Sequence, residues 1–222
     1  MSQPNPTPNK PPADPPLYPP PLTTIMHLTT LFTLALASLA TASSVSSSSL
    51  PTVPPSKRQL STVKSAVDTV TTALTALDTA VSGITPGGDV TAQTAAVTTA
   101  SESLQTALTD GTTSVRSATP LPLVDALALV APTQNLATTA KTTITNLIGK
   151  KSIIDGVGQT ATVLEQSDGQ RTATAAFGDA VVGKVPKAVS AIAQGIADQA
   201  TEAIDVGIVA FGGTVPAMMS YL

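Results

Sequence analysis

The sequence predicts an all-α protein, an antiparallel bundle of about five helices preceded by a disordered and processed N-terminal region. Two observations carry this. From Gln59 to Ser82 the large apolar residues Leu60, Val63, Val67, Val70, Leu74, Leu77 and Val81 recur at spacings of 3 and 4, which puts all of them on one stripe of a helix. And nowhere does the chain alternate apolar and polar residues over a useful strand length. A helix this apolar on one side and this polar on the other is not stable alone, so its stripe must lie on other helices, a ligand or a surface.

Composition narrows the function. The 222 residues are 42% apolar but only 2% aromatic, with no Cys, no Trp and a formal net charge of −3. No Lys/Arg cluster offers a nucleic-acid surface. Without Cys there is no disulfide framework and no thiolate chemistry.

Residues 1–25 hold most of the proline and lack apolar periodicity, as a disordered or polyproline-like segment would. Met26 then opens a stretch that reads as a secretory signal. It has an apolar run from Leu31 to Leu39 and an A-x-A cleavage site at Ala40-Thr41-Ala42. The head is either a real Pro-rich segment or a start placed upstream of a native one at Met26. Residues 43–58 form a Ser/Pro-rich linker or pro-segment ending in Lys57-Arg58. That dibasic pair suits convertase processing, with two solvated charges as the plain alternative. The single histidine, His27, falls in the segment expected to be removed.

The remaining residues, 59–222, are long enough for one domain with a sizeable core. They carry eight basic against thirteen acidic residues, which disfavours anionic lipid as an electrostatic partner. After the first helix, Pro86-Gly87-Gly88 breaks the chain and Asp89 is placed to cap the second. That helix is expected over about Val90–Asp110, with Val97 and Leu104 on its stripe and Gly111 as its stop. A third begins near Pro122 as an N1 proline and carries Leu127, Val130, Ile144 and Leu147. Pro132 either kinks it or divides it. Lys150 and Lys151 lie at its negative end. A fourth spans roughly Asp155–Val182 with Leu164, although SDGQRTAT in its middle is polar. A fifth runs from about Lys187 to Phe211 with Ile192 and Ile196, and Gly212-Gly213 ends it.

The side chains of these stripes are mostly Val, Ala, Leu and Ile. Such residues either pack closely or leave an apolar space that stays dry or takes a lipid tail. The candidate lining is Val63, Val67, Val70, Leu74, Leu77, Val97, Leu104, Leu127, Val130, Ile144, Leu147, Leu164, Ile192 and Ile196. Gln134 and Gln199 interrupt apolar stripes and are candidates to hold a carboxylate head group, or else simply reach solvent.

The run KRQLSTVKSAVDTVTTALTALDTAVSGI resembles the opening helix of the fungal hydrophobic surface binding protein A family, also called the cell-wall galactomannoprotein family. VDALALVAPTQNLATTAKTTITNLIGKKSIID is similar to that family's third helix, with its internal proline and terminal Lys-Lys, and the Ala-rich last helix also fits. The resemblance covers about Gln59 to Phe211. It implies a secreted helical bundle, in the medium or cell wall, that binds hydrophobic surfaces or fatty-acid-like lipids. Some members help recruit secreted esterases, and a wall polysaccharide is a further partner it implies. No cofactor and no catalytic residue comes with it. The chain lacks a Ser/Thr-rich stalk and a GPI signal, which puts covalent wall attachment in doubt.

The residues independently argue against an enzyme. The region after Arg58 has neither His nor Cys, which excludes Ser-His and Cys-His pairs. Asp198, Glu202 and Asp205 share a helix face but lack the aromatic platforms of a glycosidase, and are expected to be solvated. Gly156-Val157-Gly158 lacks the pattern of a phosphate loop. The main alternative to a lipid binder is a structural wall mannoprotein whose helices simply pack.

Overall fold

The computed structural model describes residues 55–216, and within them the chain forms six helices and no strands. The Pro-rich head, the expected signal peptide with Ala42 and most of the expected linker lie outside the described residues. The elements are α1 (Pro55–Ser82), α2 (Val90–Ser117), α3 (Leu123–Gly149), the short α4 (Lys151–Gly156), α5 (Thr160–Val182) and α6 (Lys187–Ala210).

Helix α1 forms as its spacing requires. Val63, Val67, Val70, Leu74, Leu77 and Val81 are all buried, and Leu60 is half-buried. The helix starts at Pro55, four residues before the expected boundary. Lys57 and Arg58 are therefore exposed residues of its first turns, and the Arg58 carbonyl accepts from the Ser61 and Thr62 hydroxyls at 2.8 and 3.0 Å.

Helix α2 is capped as expected: the Asp89 carboxylate accepts the Ala92 N–H at 3.1 Å. It does not stop at Gly111 but continues to Ser117. Gly111 is buried, and a Cβ there would stand 2.9 Å from the Phe177 ring, so this glycine admits a neighbour rather than ending a helix. Pro122 takes the N-cap position of α3, one residue outside the helix.

Pro132 neither breaks nor divides α3. Proline removes the bond to the carbonyl of Ala128, and the next residue, Thr133, bonds back to the carbonyls of Leu129 and Val130 at 2.8 and 3.0 Å. The expected fourth helix is two. Gly158, at φ 71, turns the chain between α4 and α5, while the polar SDGQRTAT run is fully helical. At this corner Asp155 accepts from Lys151 and from Thr160 (2.5 Å), and both bonds lower its pKa.

The five long helices form a closed ring in which each packs on two others, in the order α1, α2, α5, α6, α3 and back to α1. Direction alternates along the chain, so α1, α3 and α6 run one way and α2 and α5 the other. Lysines tie the two ends. Lys150 Nζ donates to the Ile84 carbonyl at 2.7 Å beyond the end of α1, and Lys184 Nζ donates to the Arg116 carbonyl at 2.8 Å near the end of α2. At the second end the Leu121 N–H also donates to the Lys184 carbonyl at 2.8 Å. Among the described residues no helix is long and apolar enough to cross a membrane.

Two glycines test the packing. A Cβ on Gly178 would lie 2.7 Å from the Cβ of Ala197, whereas one on Gly195 meets nothing within 4 Å. Gly178→Ala is therefore expected to lower the melting temperature, because ~1–3 kcal/mol of overpacking outweighs the ~1 kcal/mol gain in helix propensity. Gly195→Ala keeps that gain and raises it. Thermal denaturation followed by circular dichroism of the two variants checks the opposite signs.

Candidate functional site

The ring encloses an apolar cavity of about 90 Å³, counted as space open to the centre of a water-sized sphere. All five long helices line it. Helix α1 supplies Val70, Leu74 and Leu77; α2 supplies Leu104 and Leu108; α5 supplies Phe177 and Val181. The α3 and α6 walls mix alanines, among them Ala126, Ala137 and Ala140 on one side and Ala193, Ala197 and Ala200 on the other, with larger residues such as Leu129, Ile144, Ile196 and Ile204. No charged side chain lines it. The cavity divides the core: Ala137, Ile196 and Ala200, with half-buried Val130, form a cluster separate from the main one.

Four lining side chains are polar: Thr133, Thr143, Thr174 and Gln170. Thr133 and Thr143 bond to carbonyls of their own helix. Gln170 differs. It is 8% exposed, and its Nε2 donates across to the hydroxyl of buried Ser101 on α2 at 2.7 Å. Among the described residues nothing donates to its Oε1, and the Ser101 hydroxyl donates to none of them. This pair is thus a polar station at the wall of an otherwise apolar space, with hydrogen-bonding capacity left for a ligand.

Of the expected lining residues, Val70, Leu74, Leu77, Leu104, Val130, Ile144 and Ile196 do face the cavity. Val63 and Val67 are wholly buried in the main core instead. Val97 and Leu147 line a second, smaller cavity of about 40 Å³. Leu164 packs on the edge of the core, where a Cβ on Gly213 would meet it at 2.7 Å. Leu127 and Ile192 are exposed. Both belong to helices that touch two ring neighbours, and that geometry turns Ala126, Leu129 and Val130 inward rather than Leu127.

Gln134 and Gln199 are exposed and line no cavity, so neither is a head-group contact in this structure. Gln170 was hidden by the polarity of its surroundings. The signal was its spacing: Ser167, Gln170, Thr174, Phe177 and Val181 repeat the 3-4 pattern of a core stripe. Asp205 also departs from expectation. Asp198 and Glu202 are exposed, but Asp205 is buried and paired with Arg171 of α5. Among the described residues no three His, Cys, Asp or Glu side chains gather as a metal site.

Residues 60–183 match the family described as Hydrophobic surface binding protein A. The chain belongs to this family. Among its relatives is Cell wall mannoprotein 1 of Aspergillus fumigatus, 36% identical over 125 residues; the match covers 56% of this chain and 43% of that relative's length. The fold is shared with ligand binding domain 1 of the Penicillium marneffei MP1 protein, complexed with arachidonic acids. The TM-score is 0.65 at 27% identity, covering 70% of this chain and 99% of that one. Domain 2 of the same protein, complexed with multiple arachidonic acids, aligns with a TM-score of 0.64 at 28% identity, covering 70% and 97%.

The Arg171–Asp205 pair locks α5 to α6 beside this site, with side chains only 23% and 11% exposed. Asp205→Ala strands a largely buried guanidinium and is expected to cost toward the lower end of ~3–5 kcal/mol. The double variant Arg171→Met/Asp205→Leu removes both charges and is expected to recover most of that loss. Urea denaturation of the three proteins measures the difference.

Proposed function

We propose that this protein binds a long-chain fatty acid, non-catalytically, with the acyl tail in the cavity enclosed by the helix ring. The observation that carries the reading is an apolar space lined from every long helix with no charged side chain on its wall. Removing a tail from water contributes roughly 25 cal/mol per Å² of apolar surface buried. The arachidonic-acid complexes of the related MP1 domains support the same ligand class. Gln170, steadied by Ser101, is the residue we assign to the carboxyl group. Its amide offers both a donor and an acceptor.

The protein works outside the cell, in the medium or the wall, after removal of the signal segment that ends at Ala42; Lys57 and Arg58, in the first turns of α1, are then two solvated charges unless that end of the helix opens to a convertase. The cell-wall naming of its relatives supports that location. A secreted esterase or a wall polysaccharide as partner rests on the family resemblance alone.

Delipidated protein is expected to bind oleate at one molecule per chain in native mass spectra. Ala137→Leu and Ala200→Leu each place added bulk in the cavity and are expected to weaken binding at least tenfold while leaving the helical spectrum intact. Gln170→Leu loses a hydrogen bond worth about 1 kcal/mol, roughly a fivefold loss. Wild-type protein that carries no lipid and ignores oleate would sink the reading and leave a structural wall component.

Ionisation gives a second test. A carboxyl drawn into a wall without counter-charge has its pKa raised by desolvation. The neutral acid then binds better than its anion. Affinity is expected to fall with rising pH between the free acid's pKa and the raised bound value, and to level off above it. Oleyl alcohol, which does not ionise there, is expected to show no such trend in the same calorimetric series.

A further inference from the structure

The outer side of the α3–α6 seam carries apolar side chains that packing does not explain. Leu127 is 51% exposed and Ile192 49%, and Leu123 and Val124 continue the exposed run on α3. Just inside, Val130 and Thr133 of α3 and Ala193 of α6 line the cavity yet are only half-buried. The two sets adjoin, since Leu127 lies one turn before Val130 and Ile192 stands next to Ala193. Helices α3 and α6 run parallel, with Ala137 clustered on Ile196 and Ala200 and Ile144 against Gly207. That register brings Leu127 and Ile192 within about one turn of the same level.

What closes the seam there is slight. The cluster of Ala137, Ile196, Ala200 and Val130 is small and separate from the main core. Pro132 lies in the same stretch and leaves the Ala128 carbonyl without its helical partner. Apart from half-buried Asp125, between Val124 and Ala126, the face is also free of ions. No residue between Ala126 and Ala140 of α3, or between Ala188 and Ala197 of α6, is charged. Those stretches can enter lipid without stripping water from a charge.

We infer that the outer α3–α6 face sits on an uncharged lipid layer and that the seam beneath it is the entrance through which an acyl chain passes into the cavity. This rests on the proposal that the cavity holds a fatty acid. The occupant is a neutral lipid layer rather than an anionic one, because residues 59–222 carry an excess of acidic groups and the face itself offers no cation to a phosphate.

The test uses the full chain and phosphatidylcholine vesicles carrying oleic acid. Leu127→Ser/Ile192→Ser changes the face. Val206→Ser/Val209→Ser, at side chains 55% and 56% exposed farther along α6, is the control. Three quantities are read: flotation with vesicles, the rate of oleate transfer from vesicle to protein, and equilibrium affinity for oleate in lipid-free solution. The face variant is expected to lose flotation and to transfer oleate at least tenfold more slowly, with solution affinity within about threefold of wild type. The control is expected to match wild type in all three. Unchanged flotation and transfer in the face variant, or equal losses in the control, overturn the inference. So does a wild type that sediments as a dimer and a face variant that sediments as a monomer, since the face would then belong to a second copy. Wild type that floats through this face but binds no oleate in solution would refute the fatty-acid reading and leave the lipid-facing surface standing.

Discussion

Five helices closed into a ring cannot fill their own centre with small side chains. With neighbouring axes ~9 Å apart, the centre of a regular five-membered ring lies about 7–8 Å from each axis, whereas a helix with its side chains reaches only about 5–6 Å. A ring of four would bring the centre almost within reach. Here the reach is shorter still on two sides, because α3 and α6 present alanines. The cavity is thus a consequence of ring size and residue size together.

Threonine makes this composition workable. Along α1, α2 and α3 threonine hydroxyls bond to the carbonyl four residues earlier, as Thr71 does to Val67 at 2.8 Å and Thr112 to Leu108 at 2.7 Å. A hydroxyl satisfied within its own helix can be buried or half-buried without demanding a partner from a neighbour. Polar groups that do reach across the ring are few and placed. Gln170 joins Ser101, Asn146 joins Asp78 at 2.8 Å, and Arg171 joins Asp205. Among the described residues no side-chain polar atom wholly shut off from solvent is left without a partner.

The two halves of the ring differ in character. The α3–α6 side buries Leu129, Ile144, Ile204 and Ile208, and the α1–α2–α5 side buries Val67, Val70, Leu108 and Phe177. The latter is knit tightly enough that Gly111 is needed to admit the Phe177 ring. The α3–α6 side sets its alanines among Leu129, Ile144, Ile196 and Ile204, is interrupted by a proline, and has Asp125 as its one charged residue between Leu123 and Ala140 of α3.

The sequence by itself determined the helical class, the places of the long helices though not the end of α2 or the break between α4 and α5, and the α1 stripe in full. Periodicity is a local property, and Leu60 to Val81 repeat it without a flaw. It also removed His- and Cys-based chemistry, because neither residue occurs after Arg58. Only the tertiary structure decided which residues face the cavity. A helix in a ring touches two neighbours and the centre at once, so its inward arc is wider than one stripe, and the order of neighbours sets where that arc lies. That order turned Leu127, Ile192, Gln134 and Gln199 outward, drew Gln170 and Asp205 inward, and made Gly111 a contact rather than a stop.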